Sequence, residues 1–119
     1  MKYLMLIKHT ESYRQEAIPQ ALMEAMGAFV TDGFKNGVLK DTAGLKGTAH
    51  GFRVRSSQNR LTVTDGPFTE AKEVVGGYAM IEVSSREEAL RVARDFMELH
   101  RLHWPEFEGE CEVRPLEDM

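Results

Sequence analysis

The sequence predicts an α+β fold in which two helices cover one face of an antiparallel sheet. Two stretches carry apolar residues at helical spacing, one after Pro19 and one after Ser85. Each lies between short apolar or alternating segments of the kind that form strands, and a further pair of alternating segments separates the two helical stretches. The predicted order is therefore β-α-β-(hairpin)-β-α-β, a split βαβ arrangement with an inserted hairpin.

The first strand and the first helix are predicted from the opening third of the chain. Residues 2–8, KYLMLIK, are apolar on both faces of a strand, so both faces need cover. Residues 11–16 are polar and are expected to form a loop. A helix is then predicted from Pro19 to Asn36, with Gly37 as its stop. Its apolar face consists of Leu22, Met26, Phe29 and Val30.

The remaining strands follow from the same patterns. A second strand is predicted to start at Val38. Residues 52–55 and 61–64 alternate between apolar and polar side chains on either side of a turn, which predicts a hairpin. Residues 78–83 are predicted as a strand with two mostly apolar faces, and residues 111–114 as the last strand.

The second helix is predicted to begin at a capping box formed by Ser85 and Glu88. Its buried face consists of Ala89, Ala93, Phe96 and Met97. Two helices on one face leave the other face of the sheet uncovered, and in so small a chain the obvious cover is a second subunit. We therefore expect a homodimer, and periodicity alone leaves open whether the pairing is barrel-like or a back-to-back sandwich.

The composition indicates one small domain over residues 1–119 and disfavours several classes of protein. The net charge of −4 argues against a nucleic-acid surface, which needs basic residues to neutralise phosphates. Residues 1–7 are apolar but too short for a membrane span or a signal peptide, so we expect a cytoplasmic protein with no membrane partner. A lone cysteine, Cys111, excludes an intrachain disulfide. Dinucleotide, P-loop and serine-hydrolase motifs are absent from the sequence, and no cofactor is expected.

The stretch from Thr62 to Tyr78, TVTDGPFTEAKEVVGGY, holds the densest set of turn-forming and polar residues. Asp65, Gly66 and Pro67 are expected to end the preceding strand, because Asp-Gly favours a turn and proline has no amide to give to a sheet. Polar side chains are therefore expected to collect at one rim of the sheet.

The same stretch resembles the DGPF branch of the YCII-related proteins. The resemblance rests on TDGPF, TEAKE and GGY, together with the opening MKYLMLIK and the closing CEVRP, and it covers nearly the whole chain. It implies a ferredoxin-like α+β fold that pairs into a dimeric α/β barrel, with a pocket suspected to be catalytic but no established reaction. In the wider family a histidine–aspartate pair is the suspected active site, with the histidine on the first helix. The predicted helix from Pro19 to Asn36 contains no histidine, which is a departure from that pattern.

Asp65 and His9 are the candidate catalytic residues. Asp65 follows a strand beside the apolar Phe68, where partial burial would raise the pKa of the carboxyl group and suit it to acid–base work. The alternative is that Asp65 accepts hydrogen bonds from backbone amides of its own turn. His9 follows the first strand, and if it lies at the same rim its imidazole could partner Asp65 and titrate near neutral pH. His50 is a weaker candidate of the same kind.

The candidate substrate-binding residues are Phe68, Glu70, Lys72 and Tyr78. Glu70 and Lys72 are two apart and could present an acceptor and a cation to one small anion. The alternative for this pair is an exposed ion pair of little energy. Phe68 and Tyr78 could roof a pocket, although a tyrosine in a half-buried strand is more often a core ring with a hydrated hydroxyl group.

His100 and His103 are three residues apart near the end of the second helix and could share a metal ion with Cys111 or Glu106. Their spacing fits no standard zinc module. We therefore interpret them as helix C-terminal residues favoured by the helix dipole and expect no metal.

Two functions are compatible with these observations. The first is a cofactor-independent enzyme, in which an acid–base pair that includes Asp65 moves a proton on a small anionic or aromatic metabolite, and the YCII resemblance implies lyase-like or dehalogenation-like chemistry for it. The second is a non-catalytic dimer that binds a ligand or a partner, since the DGPF resemblance implies a suspected link to transcriptional regulation.

Overall fold

A computed structural model describes residues 1–10 and 17–117 of the chain, and the loop predicted over residues 11–16 lies outside the described residues. The elements and their bounds are β1 (Lys2–His9), α1 (Gln20–Lys35), β2 (Leu39–Gly44), β3 (Phe52–Ser57), β4 (Arg60–Asp65), β5 (Val74–Glu82), α2 (Arg86–His103) and β6 (Gly109–Pro115), with a 3₁₀ turn at Thr48–His50. This is the predicted α+β order, including the inserted hairpin.

Four strands form one antiparallel sheet in the order β2-β5-β1-β6, and β3 and β4 form a separate two-stranded sheet. In the four-stranded sheet β1 and β5 are central and β2 and β6 are the edges. The order is consistent with a ferredoxin-like fold, because each helix connects two strands that are separated by a third.

The two faces of the sheet differ in burial. Residues that pair directly across neighbouring strands share a face, so the register puts Tyr3 with Ile81 and Met5 with Ala79 on one side. Helices α1 and α2 cover that side. Its core consists of Tyr3, Met5, Leu39, Ile81, Val83, Ala89 and Ala93.

Within residues 1–10 and 17–117, no helix lies over the opposite side of the sheet, which we call the open sheet face. Its centre consists of Leu4, Leu6, Tyr78 and Met80, all half-buried. Along its β6 border, Lys8 lies 2.9 Å from Glu112 and 3.3 Å from Glu110, measured between the ammonium nitrogen and a carboxylate oxygen. The apolar centre agrees with the prediction that both faces of the first strand are apolar, whereas the charged border was not predicted.

Both helices lie where the periodicity predicts them. Helix α1 begins after Pro19 and ends before Asn36, as predicted. At the start of α2, the Ser85 hydroxyl accepts a hydrogen bond from the Glu88 amide at 3.1 Å, which confirms half of the capping box. The returning bond differs, because the Glu88 carboxylate accepts from the amide of Ser84, one residue before the cap.

The clearest difference from the prediction is the start of β5. The prediction began this strand at Tyr78, but it begins at Val74 and runs through Gly76 and Gly77. Glycine disfavours a strand interior, so the two glycines explain why the first four of the nine residues of β5 were not predicted as strand. Both are buried, and their missing side chains let β1 and β2 approach closely.

Among the described residues, no helix is long and apolar enough to cross a membrane.

Candidate functional site

A cavity of about 250 Å³ lies between the sheet and the two helices. Its wall is mostly apolar. The elements that build it contribute Met5, Ile7 and His9 from β1, Ile18 before α1, Met26, Phe29 and Val30 from α1, Leu39, Thr42, Ala43 and Gly44 from β2, Gly76, Gly77, Tyr78 and Ala79 from β5, and Phe96 and His100 from α2. Two imidazole rings therefore lie in an otherwise largely apolar wall.

His9 is the last residue of β1 and is only 1% exposed. Its Nδ1 lies 2.7 Å from the carbonyl oxygen of Thr10. The neighbouring Gly76 is what makes room for the ring, since a Cβ built on Gly76 would lie 1.8 Å from Nε2 of His9. The sequence analysis placed His9 just after the first strand, whereas it is the last residue of β1 and its ring is buried beside the cavity.

His100 enters the cavity wall from α2 and is 2% exposed. Its Nδ1 lies 3.2 Å from the carbonyl oxygen of Phe96, and its ring packs against those of Phe96 and Phe107. Burial lowers the pKa of His100 below its usual value of 6.5 because the charged form loses hydration, and the hydrogen bond to Phe96 only partly opposes this. The ring is therefore neutral at neutral pH.

The sequence analysis considered His100 and His103 as metal ligands. His100 is buried and His103 is exposed. In residues 1–10 and 17–117, no three His, Cys, Asp or Glu side chains are grouped so as to hold a metal ion. Cys111 is half-buried, and burial raises the pKa of its thiol to about 11.

Asp65 is exposed at the end of β4, on the two-stranded sheet. The next residue, Gly66, is pressed onto the 3₁₀ turn, because a Cβ there would lie 1.7 Å from the carbonyl oxygen of Thr48. The Gly66 amide donates to the carbonyl of Gly51 at 2.9 Å, and the Phe68 amide donates to the Thr48 hydroxyl at 3.0 Å. The DGPF segment is thus a closely fitted loop, and a catalytic role for Asp65 stays a prediction.

Phe68 and Glu70 meet at Arg53 of β3. The guanidinium carbon of Arg53 lies 3.7 Å from the centre of the Phe68 ring, and its Nη1 forms an ion pair with the Glu70 carboxylate. That ion pair lowers the pKa of Glu70. Glu70 therefore has Arg53 as its partner, whereas the sequence suggested Lys72, which is exposed.

Tyr78 pairs with Leu6 across the sheet, so its ring lies on the open sheet face, and the residue is also one of those that line the cavity. Its hydroxyl donates to Oδ2 of Asp41 at 3.0 Å, and this hydrogen bond raises the pKa of the phenol.

The structure brings together only part of the predicted site. Of the six predicted residues, His9 and Tyr78 are in the described wall of the cavity, and Asp65, Phe68, Glu70 and Lys72 are not. Sequence reasoning did not assign His100 to this cavity or Arg53 to the DGPF loop. The alternation in β3 did mark Arg53 as a polar position, but no pattern indicated its partner.

The fold and the cavity define a small α+β protein with a pair of buried histidines between its helices and its sheet. Residues 1–98 match the YCII-related domain, and the chain therefore belongs to the YCII-related family. An uncharacterised protein of Rhizobium meliloti (strain 1021) is 38% identical over 80 residues, which are 67% of this chain. The matched region spans 60% of the length of that relative.

Proposed function

We propose that this protein binds a small, mainly apolar ring compound in the cavity between its helices and its sheet. The observation that carries the proposal is a mostly apolar cavity of about 250 Å³ with His9 and His100 in its wall. Ligand sites are typically apolar pockets with a few convergent polar groups that orient the ligand. A neutral imidazole can donate or accept one hydrogen bond, so the matching ligand carries one hydroxyl or carbonyl group on an apolar ring.

The same cavity supports cofactor-independent acid–base chemistry of the lyase type. An imidazole that is held beside a bound ligand is suited to moving a proton, because its two ring nitrogens can both donate and accept one. His9 is the candidate for that role, since Gly76 and the Thr10 carbonyl fix its ring position. His100, held neutral by burial, would orient the ligand. Asp65 remains a candidate that a variant can test separately.

We further propose that the protein is a homodimer of the DGPF branch, arranged as a dimeric α/β barrel. The half-buried apolar centre of the open sheet face supports this arrangement, because a second copy would remove Leu4, Leu6 and Met80 from water. The branch assignment is supported by the segment 64–68, TDGPF, and by its close fit to the 3₁₀ turn.

A thermal-shift comparison tests the cavity with phenol and benzoate as probes. A ligand that binds only the folded state raises the melting temperature by mass action. We expect phenol to raise the Tm of the wild type, and benzoate to raise it less, because a buried carboxylate loses its hydration. Met26→Trp places a larger side chain at the cavity wall and should abolish the phenol shift.

The matched control is Met23→Trp, the same substitution at a residue of α1 that is 52% exposed and is not in the described cavity wall. It should keep the phenol shift. The proposal is contradicted if phenol stabilises Met26→Trp as much as the wild type, or if neither probe shifts the wild-type Tm.

A second candidate function is a non-catalytic module that binds a ligand or a partner, in keeping with a link to transcriptional regulation. The observation that favours it is the exposed apolar surface of the β3–β4 hairpin, where Phe52 and Leu61 are 67% and 74% exposed. Proton NMR of a bound ring compound over time separates the two functions. New product signals that require His9, tested with His9→Gln, support an enzyme, and an unchanged ligand supports the module.

A further inference from the structure

The position of the proton on the buried His100 ring is set by a backbone carbonyl group. Nδ1 of His100 lies 3.2 Å from the carbonyl oxygen of Phe96. A carbonyl oxygen only accepts hydrogen bonds, so Nδ1 carries the proton and donates. Because burial keeps the ring neutral at neutral pH, the ring has one N–H group and Nε2 is left with a lone pair. His100 is therefore held in the tautomer in which Nε2 is a hydrogen-bond acceptor.

The ring of His100 is fixed by its contacts, and its second nitrogen is available to the cavity. The centres of the Phe96 and Phe107 rings lie 5.0 Å and 4.8 Å from the centre of the imidazole. The imidazole is 2% exposed and forms part of the cavity wall. Within residues 1–10 and 17–117, the structure shows no hydrogen bond to Nε2. A molecule in the cavity can therefore be the partner of this nitrogen.

Thr42 of β2 offers a second acceptor to the same cavity. It pairs with Ala79, which in turn pairs with Met5, so its side chain lies on the helix-covered side of the sheet. The Thr42 hydroxyl donates to the carbonyl oxygen of Tyr78 at 2.8 Å. A hydroxyl group has one proton, so Thr42 can offer a ligand only its lone pairs.

His9 has the same polarity when its ring is neutral. Its Nδ1 lies 2.7 Å from the carbonyl oxygen of Thr10, which again can only accept. The proton of a neutral His9 ring is therefore on Nδ1, and the lone pair is on Nε2, the nitrogen beside Gly76 of the cavity wall. His9, Thr42 and His100 thus all contribute acceptors to this wall.

We propose that His100 selects the ligand of the cavity by accepting a hydrogen bond at Nε2, so that the cavity takes ring compounds that carry an O–H or N–H donor. A ring that carries only an acceptor, such as an ether or a ketone, would bring oxygen lone pairs against the nitrogen lone pair. Both polar groups would then be buried without a hydrogen bond, which is unfavourable. The inference rests on the proposed ligand binding in this cavity. It narrows the matching ligand from a hydroxyl or carbonyl compound to a hydrogen-bond donor.

A pair of isomers tests this selectivity. 4-Methylphenol and anisole have the same atoms, but only 4-methylphenol has an O–H group. We expect the wild type to bind 4-methylphenol at least about tenfold more tightly than anisole, since the ether leaves a buried lone pair without a donor. Titration at neutral pH, followed through the saturable shift of amide NMR signals, gives both dissociation constants.

His100→Phe removes the acceptor and keeps an aromatic ring beside Phe96 and Phe107. We expect the preference for 4-methylphenol over anisole to fall at least about threefold in this variant. Comparing preferences cancels the different hydration of the two isomers, because both proteins bind the same ligands from the same solvent. The matched control is His103→Phe, the same substitution at an exposed position of α2, which should keep the wild-type preference.

Nitrogen NMR of the histidine rings tests the tautomer without any substitution. Long-range ¹H–¹⁵N correlations distinguish a protonated ring nitrogen from one with a lone pair. At neutral pH we expect Nδ1 of His100 to be protonated and Nε2 to be unprotonated, and we expect the Nε2 signal to shift saturably with 4-methylphenol. A proton on Nε2 of His100 in the wild type would overturn the proposal.

The outcomes separate this selectivity from ligand binding itself. If neither isomer binds, both the proposed ligand site and its selectivity are overturned. Equal affinities of the two isomers leave the cavity as a ligand site and overturn the preference for donors. A preference that His100→Phe retains in full overturns the role of His100.

Discussion

At the residue scale, the position of the His9 ring in the candidate site depends on the neighbouring Gly76. Gly76 of β5 leaves the space into which the His9 ring fits, and any Cβ there would overlap Nε2. A buried imidazole is thereby fixed at the end of β1, facing an apolar cavity.

We expect Gly76→Ala to displace His9 and to lower the free energy of unfolding by about 1–3 kcal/mol, the usual range for an overpacked core position. Urea unfolding checks the energy, and the phenol thermal shift checks the site. Gly44→Ala is the control, because a Cβ on Gly44 meets no atom within 4 Å although Gly44 also borders the cavity. Equal effects of the two substitutions would contradict this explanation.

His100 makes stability depend on pH. Burial lowers its folded-state pKa below the unfolded value of 6.5, so the unfolded chain binds more protons between these two pKa values. Stability is therefore retained above pH 6.5 and falls as the pH drops below it. We expect this acid-side loss to be smaller in His100→Phe, which keeps a ring beside Phe96 and Phe107 but cannot be protonated.

Urea midpoints at several pH values between neutrality and mild acid measure this effect. The control is His103→Phe, the same substitution at an exposed position one turn further along α2. The account is contradicted if the wild type and His100→Phe lose stability in parallel as the pH falls.

The sequence predicted part of the residue-scale chemistry. His9 could be placed at a strand end because the apolar run of β1 stops there. The position of His100 in the cavity wall could not be predicted, because helical spacing indicates which residues share a face of α2 but not which cavity that face borders. Arg53 was likewise visible only as a polar position, because its contacts with Phe68 and Glu70 depend on how the loop folds back.

At the scale of elements, the DGPF loop connects the β3–β4 hairpin to the rest of the chain through a close backbone contact. Gly66 lies against the carbonyl of Thr48, and the Phe68 amide donates a hydrogen bond to the hydroxyl of the same residue. Asp65 precedes this contact as the last residue of β4.

We expect Gly66→Ala to separate the loop from the 3₁₀ turn, because the Cβ would lie 1.7 Å from a backbone oxygen that cannot move as a flexible side chain does. Hydrogen exchange of the amides of the β3–β4 hairpin should then accelerate. Gly51→Ala is the matched control, since its Cβ would lie at an ordinary 3.7 Å from the same oxygen. Unchanged exchange in Gly66→Ala would refute a structural role for this glycine.

Most elements were predictable because their patterns are local. The periodicity of α1 predicted both of its ends within one residue, the cap at Ser85 predicted the start of α2, and the alternation of β3 and β4 predicted the hairpin. The start of β5 was missed because Gly76 and Gly77 resemble a break in a strand. They are tolerated there because His9 and the backbone of β2 occupy the space that side chains would need.

At the scale of the whole molecule, the part of the chain that the structure describes leaves two apolar surfaces uncovered, namely the open sheet face and the apolar face of the β3–β4 hairpin. The sequence indicated the first, because β1 is apolar on both faces. It did not indicate the second, since alternation in a hairpin is equally compatible with an apolar face that packs on its own chain. Only the three-dimensional arrangement shows that this face points away from the core.

The central claim is that a ring compound enters the cavity between the helices and the sheet, and histidine NMR tests it most directly. The chain has four histidines, of which His9 and His100 are in the cavity wall and His50 and His103 are exposed. We predict that a phenol titration shifts the ring Cε1–H signals of His9 and His100 saturably and leaves those of His50 and His103 unchanged. Four signals that move together, or none that saturates, would contradict the account.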